Sequence, residues 1–265
     1  RISRRDKLIM RFLASIGRGT ISTFATIGQI AVFAGIGLYH CVRPPFYPRL
    51  IVQQMIEIGY YSLPVVGLTA IFTGAVLALQ SFNGFGFAGE ATIANVVVWG
   101  ITRELGPVLA GLMVAGRVGA AMAAEIGTMR VTEQIDALTT LSTNPYKYLV
   151  APRLIAAIAM LPLLVLVADV IGVLGGFLVS VYDFGFNPTT YLKSTWDSLD
   201  STGFVSGLVK AAVFGFLVAL MGTYHGYHSK GGAQGVGQAT TNAVVSASIL
   251  LLLFNFIITA VFFAS

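Results

Sequence analysis

The organisation of this chain is decided by the stretch from Ala123 to Leu138, AAEIGTMRVTEQIDAL, which is charged and compatible with a helix. Within it, Val131, Ile135 and Leu138 follow at i, i+4 and i+7 and form an apolar stripe, while the residues between them supply polar faces. The pattern predicts an amphipathic helix between two apolar runs. It is either an ordinary loop helix or a helix that presents its charges to a soluble partner.

The amino-acid composition shows whether the rest of the chain lies in water or in lipid. Hydrophobic residues make up 56% of the 265 residues, charged residues make up 10%, and the mean hydropathy is +0.82. These values exclude a soluble domain and indicate an all-α integral membrane protein. The net charge of +5 therefore reports membrane topology and does not indicate nucleic-acid binding. With Cys41 as its one cysteine, the chain has no internal disulfide and no cysteine-only metal cluster.

Six stretches are apolar and long enough to cross the hydrocarbon layer as helices, which takes about 20 residues. They are residues 19–42, 58–89, 91–116 around Arg103 and Glu104, 155–182 around Asp169, 204–224 around Lys210, and 231–265. Basic residues before the first stretch, between the first two and in the central loop place all three of these regions in the cytoplasm. The N-terminus is then cytoplasmic and the C-terminus periplasmic.

The first apolar stretch conflicts with this topology, because a full crossing would separate two basic blocks that both belong in the cytoplasm. We therefore predict that residues 1–18 form an amphipathic interfacial helix. Residues 19–42 would stay in the interface or dip into the membrane and return. Five complete transmembrane helices follow, so residues 19–265 form one transmembrane domain. Because the rule on basic residues is statistical, an ordinary first span remains the alternative.

Motifs for nucleotide, metal or nucleophilic chemistry do not occur in the sequence. There is no Gly-x-x-x-x-Gly-Lys-Ser/Thr phosphate loop, no His-Glu-x-x-His, no Cys-x-x-Cys and no Gly-x-Ser-x-Gly. We therefore expect that the chain binds no cofactor or metal and does not itself hydrolyse nucleotide.

Arg103 and Glu104 are the charges that most need an explanation, because long uncharged runs flank them on both sides. An Arg at the centre of a membrane helix costs about 2.5 to 3.5 kcal/mol, so it needs a partner, a cavity or a headgroup. Neighbouring residues point about 100° apart, so we expect the two to face different partners. Pro107 also leaves the Arg103 carbonyl without its helical donor, which predicts a local polar site. Two interpretations remain open: a wet cavity or phosphate contact, and a pairing between helices that locks the fold.

Asp169, in the next span, poses the same choice. For this residue, structural hydrogen bonding is favoured.

Several of these segments together resemble the MlaE permeases, the YrbE-type membrane subunits of MCE-type lipid ABC transporters. The resemblance extends over about residues 50–265, and its central block is long and specific. It is carried by Arg103–Pro107, Ala115–Arg117, Ala124–Leu138, Asn144-Pro145, Pro152-Arg153 and Ala239–Thr241.

The resemblance implies a permease homodimer in the bacterial inner membrane. Each copy would bind an MlaF-like ATPase, which holds the ATP and Mg, below a periplasmic hexamer of MlaD-like MCE proteins, with an MlaB-like STAS protein on the ATPase. The cargo would be glycerophospholipid moved between the inner and outer membranes, which maintains outer-membrane asymmetry.

The same resemblance implies two sets of site residues. A coupling helix at about residues 125–140 would contact the ATPase through Glu125, Gly127, Arg130, Glu133 and Asp136. A lipid cavity would be lined by Arg103, Glu104, Leu79, Phe82 and Leu105. Two other classes of function are kept as alternatives. The first is an ion-coupled secondary transporter that uses Asp169, Glu104 and Arg103, and the second is a membrane anchor that carries no cargo.

Overall fold

The computed structural model describes residues 4–85 and 89–263, with side chains for residues 17–22, 24–84 and 89–263. In this part of the chain all regular structure is helical, which confirms the predicted all-α membrane protein. The helices are α1 (Arg4–Val42), α2 (Pro48–Ile58), α3 (Leu63–Phe85), α4 (Glu90–Gly100), α5 (Gly106–Val114), α6 (Ala120–Val131), α7 (Gln134–Thr140), α8 (Ala151–Tyr182), α9 (Pro188–Asp197), α10 (Ser201–Tyr227) and α11 (Gly232–Phe263).

Short irregular turns join several of these helices into longer stretches. A 3₁₀ turn at Tyr60–Ser62 connects α2 to α3. Turns of π-helix at Ile101–Leu105 and Ala115–Gly119 connect α4, α5 and α6, and a third at Tyr146–Val150 precedes α8. Six stretches among the described residues have the length and composition of membrane spans: Gly17–Val42, Pro48–Gly84, Glu90–Val131, Tyr146–Tyr182, Ser201–Tyr227 and Gly232–Phe263. The last five correspond to the five predicted transmembrane helices.

Hydrogen bonds between loops define the two ends of the bundle. At one end, Lys147 Nζ donates to the carbonyl of Pro44 at 2.7 Å, and Asn144 lies 3.0 Å from His40. We call this the basic end; its loops are residues 43–47, 132–145 and 228–231. At the other, distal end, the backbone N–H of Asn187 donates to Glu90. The pairing of loops is the one that the distribution of basic residues predicted.

Helix α1 corrects part of the prediction for the first fifty residues. It is a single helix through Val42, so the chain does not turn back within residues 19–42. Its contacts with the bundle nevertheless stay at the basic end: Phe33 packs on Tyr146 and Tyr224, and the Cys41 thiol lies near the Ala151 carbonyl. Contacts confined to the basic end are compatible with the predicted interfacial helix, while Gly17–Val42 also has the length and composition of a span. The side chains of residues 1–16, which carry the predicted amphipathic pattern, lie outside the described side chains.

Glycine allows two long helices to pack backbone against backbone at the centre of the bundle. A Cβ added to Gly74 of α3 would collide with the carbonyl of Gly172 of α8, and one added to Gly175 would collide with the carbonyl of Ile71. In a membrane, where lipid is as apolar as Leu, such close van der Waals packing is a main source of helix association. Helix α8 is thereby fixed against α3 on one side, and it packs against α10 on the other.

The central loop also differs from its prediction, because residues 125–140 do not form one coupling helix. Helix α6 ends at Val131, Glu133 adopts a left-handed conformation with φ of 61°, and α7 begins at Gln134. The predicted apolar stripe survives the break, since Ile135 is buried and packs with Ile126 and Leu149. Ile135 and Leu138 of the stripe thus pack α7 against Ile126 of α6.

Candidate functional site

A polar cluster surrounds the π-helical turn Ile101–Leu105. The carboxylate of Glu104 accepts hydrogen bonds from Lys210 Nζ at 2.7 Å, Thr259 Oγ1 at 2.9 Å and Asn255 Nδ2 at 2.9 Å. We call these four residues the Glu104 cluster. It joins the turn to α10 and α11, and its lysine is fully buried while the glutamate side chain is 38% exposed. Turns of π-helix inside α-helices occur frequently at functional sites.

Lys210 also satisfies the backbone beside this cluster. Its Nζ donates to the carbonyl of Arg103 at 2.8 Å. Pro107, four residues on, has no N–H to donate to that carbonyl, as the sequence predicted. The buried ammonium therefore has a carboxylate and a carbonyl as acceptors, which is how a charge is retained among apolar helices.

Arg103 points away from Glu104 and toward the distal end. Its guanidinium pairs with Asp200 at 3.1 Å and stacks over the rings of Trp99 and Phe263, with centroid distances of 4.9 and 5.1 Å. The glycine at Gly203 permits this approach, because a Cβ there would collide with the arginine side chain. The two charges thus have different partners, as their angular separation predicted.

An apolar groove of about 380 Å³ lies at the same π-helical turn as the Glu104 cluster. Leu105 forms one wall, and α3 supplies Phe72, Val76 and Leu77 with the polar Thr73 and Gln80. Glu104 and Leu105 are consecutive residues of one π-helical turn, so the cluster and the groove lie at the same depth, but Leu105 faces α3 whereas Glu104 bonds to α10 and α11. The turn thus presents charged groups toward α10 and α11 and hydrocarbon toward α3.

The remaining residues predicted for the lipid cavity lie elsewhere. Leu79 is 42% exposed on α3 and is not among the residues that line the groove. Phe82 stacks on Phe184 with ring centroids 4.0 Å apart, in a small aromatic group at the distal end. Asp169 is buried against Gly106, and its Oδ1 has no hydrogen-bond partner among the described residues. A structural hydrogen bond was favoured for Asp169 from the sequence, but its Oδ1 forms none among the described residues.

The predicted coupling residues lie at the basic end but have different partners. Glu125 pairs with Arg153 of α8 at 2.7 Å, and this arginine side chain is 5% exposed. Arg130 pairs with Asp136 across the break between α6 and α7, also at 2.7 Å. Gly127 packs against Ser229. The side chain of Glu133 is exposed and forms no ion pair among the described residues, so it places a negative charge on the outer surface at the start of α7.

Sequence reasoning missed the partners in each of these pairs. Lys210 was noticed as a charge in an apolar stretch but was not linked to Glu104, although two isolated opposite charges in neighbouring spans are a signal for pairing. Asp200, Asn255 and Thr259 gave no such signal, because polar residues near helix ends are common. Arg153 was recognised in a family motif, but its burial could not be read from the sequence.

Comparison with known proteins gives consistent matches over most of the chain. The family model for Permease MlaE matches residues 51–261. A "Probable ABC transporter permease protein" of Rickettsia bellii is 57% identical, over 97% of this chain and 99% of the relative. The "Intermembrane phospholipid transport system permease protein MlaE" of Haemophilus influenzae is 33% identical, over 97% of this chain and 100% of the relative. The "Protein TRIGALACTOSYLDIACYLGLYCEROL 1, chloroplastic" of Arabidopsis thaliana is 34% identical, over 89% and 67%.

Proposed function

Because the chain belongs to the MlaE permease family, and is therefore an ABC transporter permease subunit, we propose that it carries glycerophospholipids between the inner and outer membranes. In this proposal two copies form a homodimer in the bacterial inner membrane. An ATPase with ATP and Mg, together with a STAS-domain protein, binds the basic end. A periplasmic hexamer of MCE-domain proteins receives or delivers the lipid at the distal end.

The observation that carries the proposal is that the Glu104 cluster and the apolar groove at Leu105 belong to one π-helical turn. A phospholipid needs polar partners for its headgroup and an apolar surface for its acyl chains, and both occur here at one depth of the bundle. Arg103, which retains 27% side-chain exposure in its pair with Asp200, adds a cation that suits a phosphate group. An arginine or lysine that faces a cavity in a membrane protein often marks a substrate pathway.

The ATPase contact is assigned to the basic end for electrostatic and geometric reasons. Lys and Arg are concentrated on the cytoplasmic side of membrane proteins, and the basic end contains Arg43, Lys230 and, in the π-helical turn before α8, Lys147. Helix α7 lies at this end with the exposed carboxylate of Glu133 at its start, and its buried Ile135 fixes it to α6 and to the π-helical turn before α8. A movement imposed on α7 would therefore reach the transmembrane helices directly.

The test is to purify the full chain from its native membrane, identify the co-purifying subunits, and measure ATP-dependent lipid transfer after reconstitution with them. We expect an ATPase to co-purify and lipid transfer to fall in Arg103→Ala. A lone chain that transfers lipid at the full rate without any ATPase would overturn the proposal. Unchanged lipid transfer in Arg103→Ala would favour a membrane anchor that carries no cargo.

The ion-coupled alternative makes a different prediction. It requires Asp169, Glu104 and Arg103 to act together, whereas Glu104 pairs with Lys210, Arg103 pairs with Asp200, and Asp169 forms no ion pair among the described residues. On this alternative, Asp169→Asn would abolish turnover driven by an ion gradient. On the proposed function, transport requires ATP and no ion gradient.

A further inference from the structure

A second cavity lies at the basic end, between α1 and the rest of the bundle. Its volume is about 450 Å³, and it is lined on one side by a face of α1 that includes Gly28, Val32 and Ile36, and on the other by Tyr146 and His228. This volume is within the range of small-molecule sites, roughly 300 to 1,000 Å³. Tyr146 begins the π-helical turn before α8, and His228 directly follows the last residue of α10. Both residues are at ends of membrane spans, so the cavity lies at the level of the membrane interface.

The lining of this cavity changes from apolar to polar across its width. Val32 and Ile36 provide hydrocarbon along α1. Toward the bundle, Gln29 accepts a hydrogen bond from the hydroxyl of Tyr224 at 3.4 Å, and the ring of His228 is exposed beside it. Phe33 closes the floor, with its ring against Tyr146 and Tyr224. A ligand that fits this lining has an apolar chain and a polar head.

Two lysines lie close in sequence to the residues on the polar side of the cavity. Lys147 directly follows Tyr146, and Lys230 lies two residues after His228. Neither lysine forms an ion pair with any acidic residue in the described part of the chain, and Lys147 instead donates to the carbonyl of Pro44. Basic residues at this level attract the anionic lipids of the cytoplasmic leaflet.

We propose that this cavity binds one anionic phospholipid of the cytoplasmic leaflet, with an acyl chain between α1 and the bundle and the phosphate near Lys147 and Lys230. The bound lipid fills the space that the direct contacts of α1 leave open, and so attaches this helix to the bundle. The inference uses the membrane orientation of the proposed function, but it does not depend on lipid transport.

Two glycines of α1 provide a matched test. A Cβ added at Gly28 or at Gly35 meets no atom within 4 Å, so both positions accept a larger side chain, but only Gly28 is among the residues that line the cavity. Three full-length proteins are compared in nanodiscs: the wild type, Gly28→Leu and Gly35→Leu. The nanodiscs contain phosphatidylcholine and a trace of phosphatidylglycerol, and the acyl chain of this phosphatidylglycerol is photoactivatable. After illumination, the peptides that the lipid has labelled are identified and assigned to their positions in the chain. If Gly28→Leu is not recovered folded, Ala25→Leu, which narrows the same cavity, replaces it.

We expect labelling of residues 25–36 in the wild type and in Gly35→Leu, and loss of this labelling in Gly28→Leu. Unlabelled phosphatidylglycerol should compete, and additional phosphatidylcholine should not. In Lys147→Gln/Lys230→Gln this preference should disappear, while Arg49→Gln, an exposed cation on α2, should retain it. Labelling that persists in Gly28→Leu would overturn the site, and equal competition by the two lipids would overturn its preference for anionic lipid. Glu104→Gln should leave the labelling unchanged whether or not it alters transport, which separates this inference from the proposed function.

Discussion

The ammonium of Lys210 and the carboxylate of Glu104 lie 2.7 Å apart, and the lysine side chain is completely buried whereas the glutamate side chain is 38% exposed. The pair connects α10 to the π-helical turn between α4 and α5. Because one member has no access to solvent, it depends on the other for its charge to be tolerated. The exposed member is free to interact with a ligand on its open side.

The first prediction concerns the stability that this pair provides. Glu104→Gln leaves a buried ammonium with the Arg103 carbonyl but no carboxylate, which should lower the free energy of unfolding by about 3 kcal/mol. The double variant Glu104→Gln/Lys210→Met removes both charges and should recover most of this loss. Thermal unfolding in detergent measures both effects. Equal unfolding temperatures for the single and double variants would contradict the pairing.

The double variant also distinguishes the two interpretations of the charges in this span. If the pair serves only to hold the helices together, Glu104→Gln/Lys210→Met should restore lipid transfer together with stability. If the Glu104 cluster contacts the headgroup, stability should return while lipid transfer stays low. We expect the second result, because the side chain of Glu104 is 38% exposed and belongs to the same π-helical turn as the groove. ATP-dependent lipid transfer at a temperature where both variants are folded is the measurement.

Which charges matter could be read from the sequence, but their partners could not. A charge inside a long apolar run is costly wherever the helix is placed, so Arg103 and Glu104 stand out without any knowledge of the fold. Their partners depend on which faces of α10 and α11 point toward the π-helical segment Ile101–Leu105. The rotation of each helix about its axis is set by packing. The same limit applies to Phe82, which was predicted at the lipid cavity and stacks on Phe184.

Two errors in helix boundaries have local physical reasons. The break after Val131 was not predicted, because the apolar stripe continues across it and Glu133 adopts a left-handed conformation that is more typical of glycine. A return turn was one of the two paths predicted for residues 19–42, which contain Gly28, Gly35 and Gly37. In the structure these glycines lie within one helix, and Gly37 serves to approach Leu154 of α8.

The close contact of α3 with α8 predicts that one methyl group added at Gly74 strongly reduces stability. Gly74→Ala would force the two helices apart at the Gly172 carbonyl and should lower the free energy of unfolding by about 1–3 kcal/mol. Gly84→Ala, on the same helix, is the control, because its added Cβ meets no atom within 4 Å. Denaturation in detergent should show a loss for Gly74→Ala alone. A comparable loss in both variants would indicate a general effect on helix α3 and not the contact.

Glu125 and Glu133 were predicted to share one role, and the structure predicts that they differ. Glu125→Gln removes the partner of the buried Arg153 and should reduce thermal stability, with co-purification of the ATPase retained in the folded fraction. Glu133→Lys alters an exposed charge and should weaken co-purification without a change in stability. The control is Asp183→Lys, an exposed charge at the distal end. If Asp183→Lys reduces co-purification as much as Glu133→Lys does, the ATPase does not bind at α7.

The orientation of α1 can be tested with single cysteines in a Cys41→Ser background, since Cys41 is the one natural cysteine. A helix that lies across the basic end keeps both of its ends on the same side of the membrane, whereas one that crosses places them on opposite sides. Arg18→Cys and Arg43→Cys should therefore both react with an impermeant maleimide in inverted vesicles. Lys193→Cys, on α9 at the distal end, should react in right-side-out vesicles. Reaction of Arg18→Cys from the same side as Lys193→Cys would show that α1 spans the membrane, and the lipid cavity between α1 and the bundle would then need another occupant.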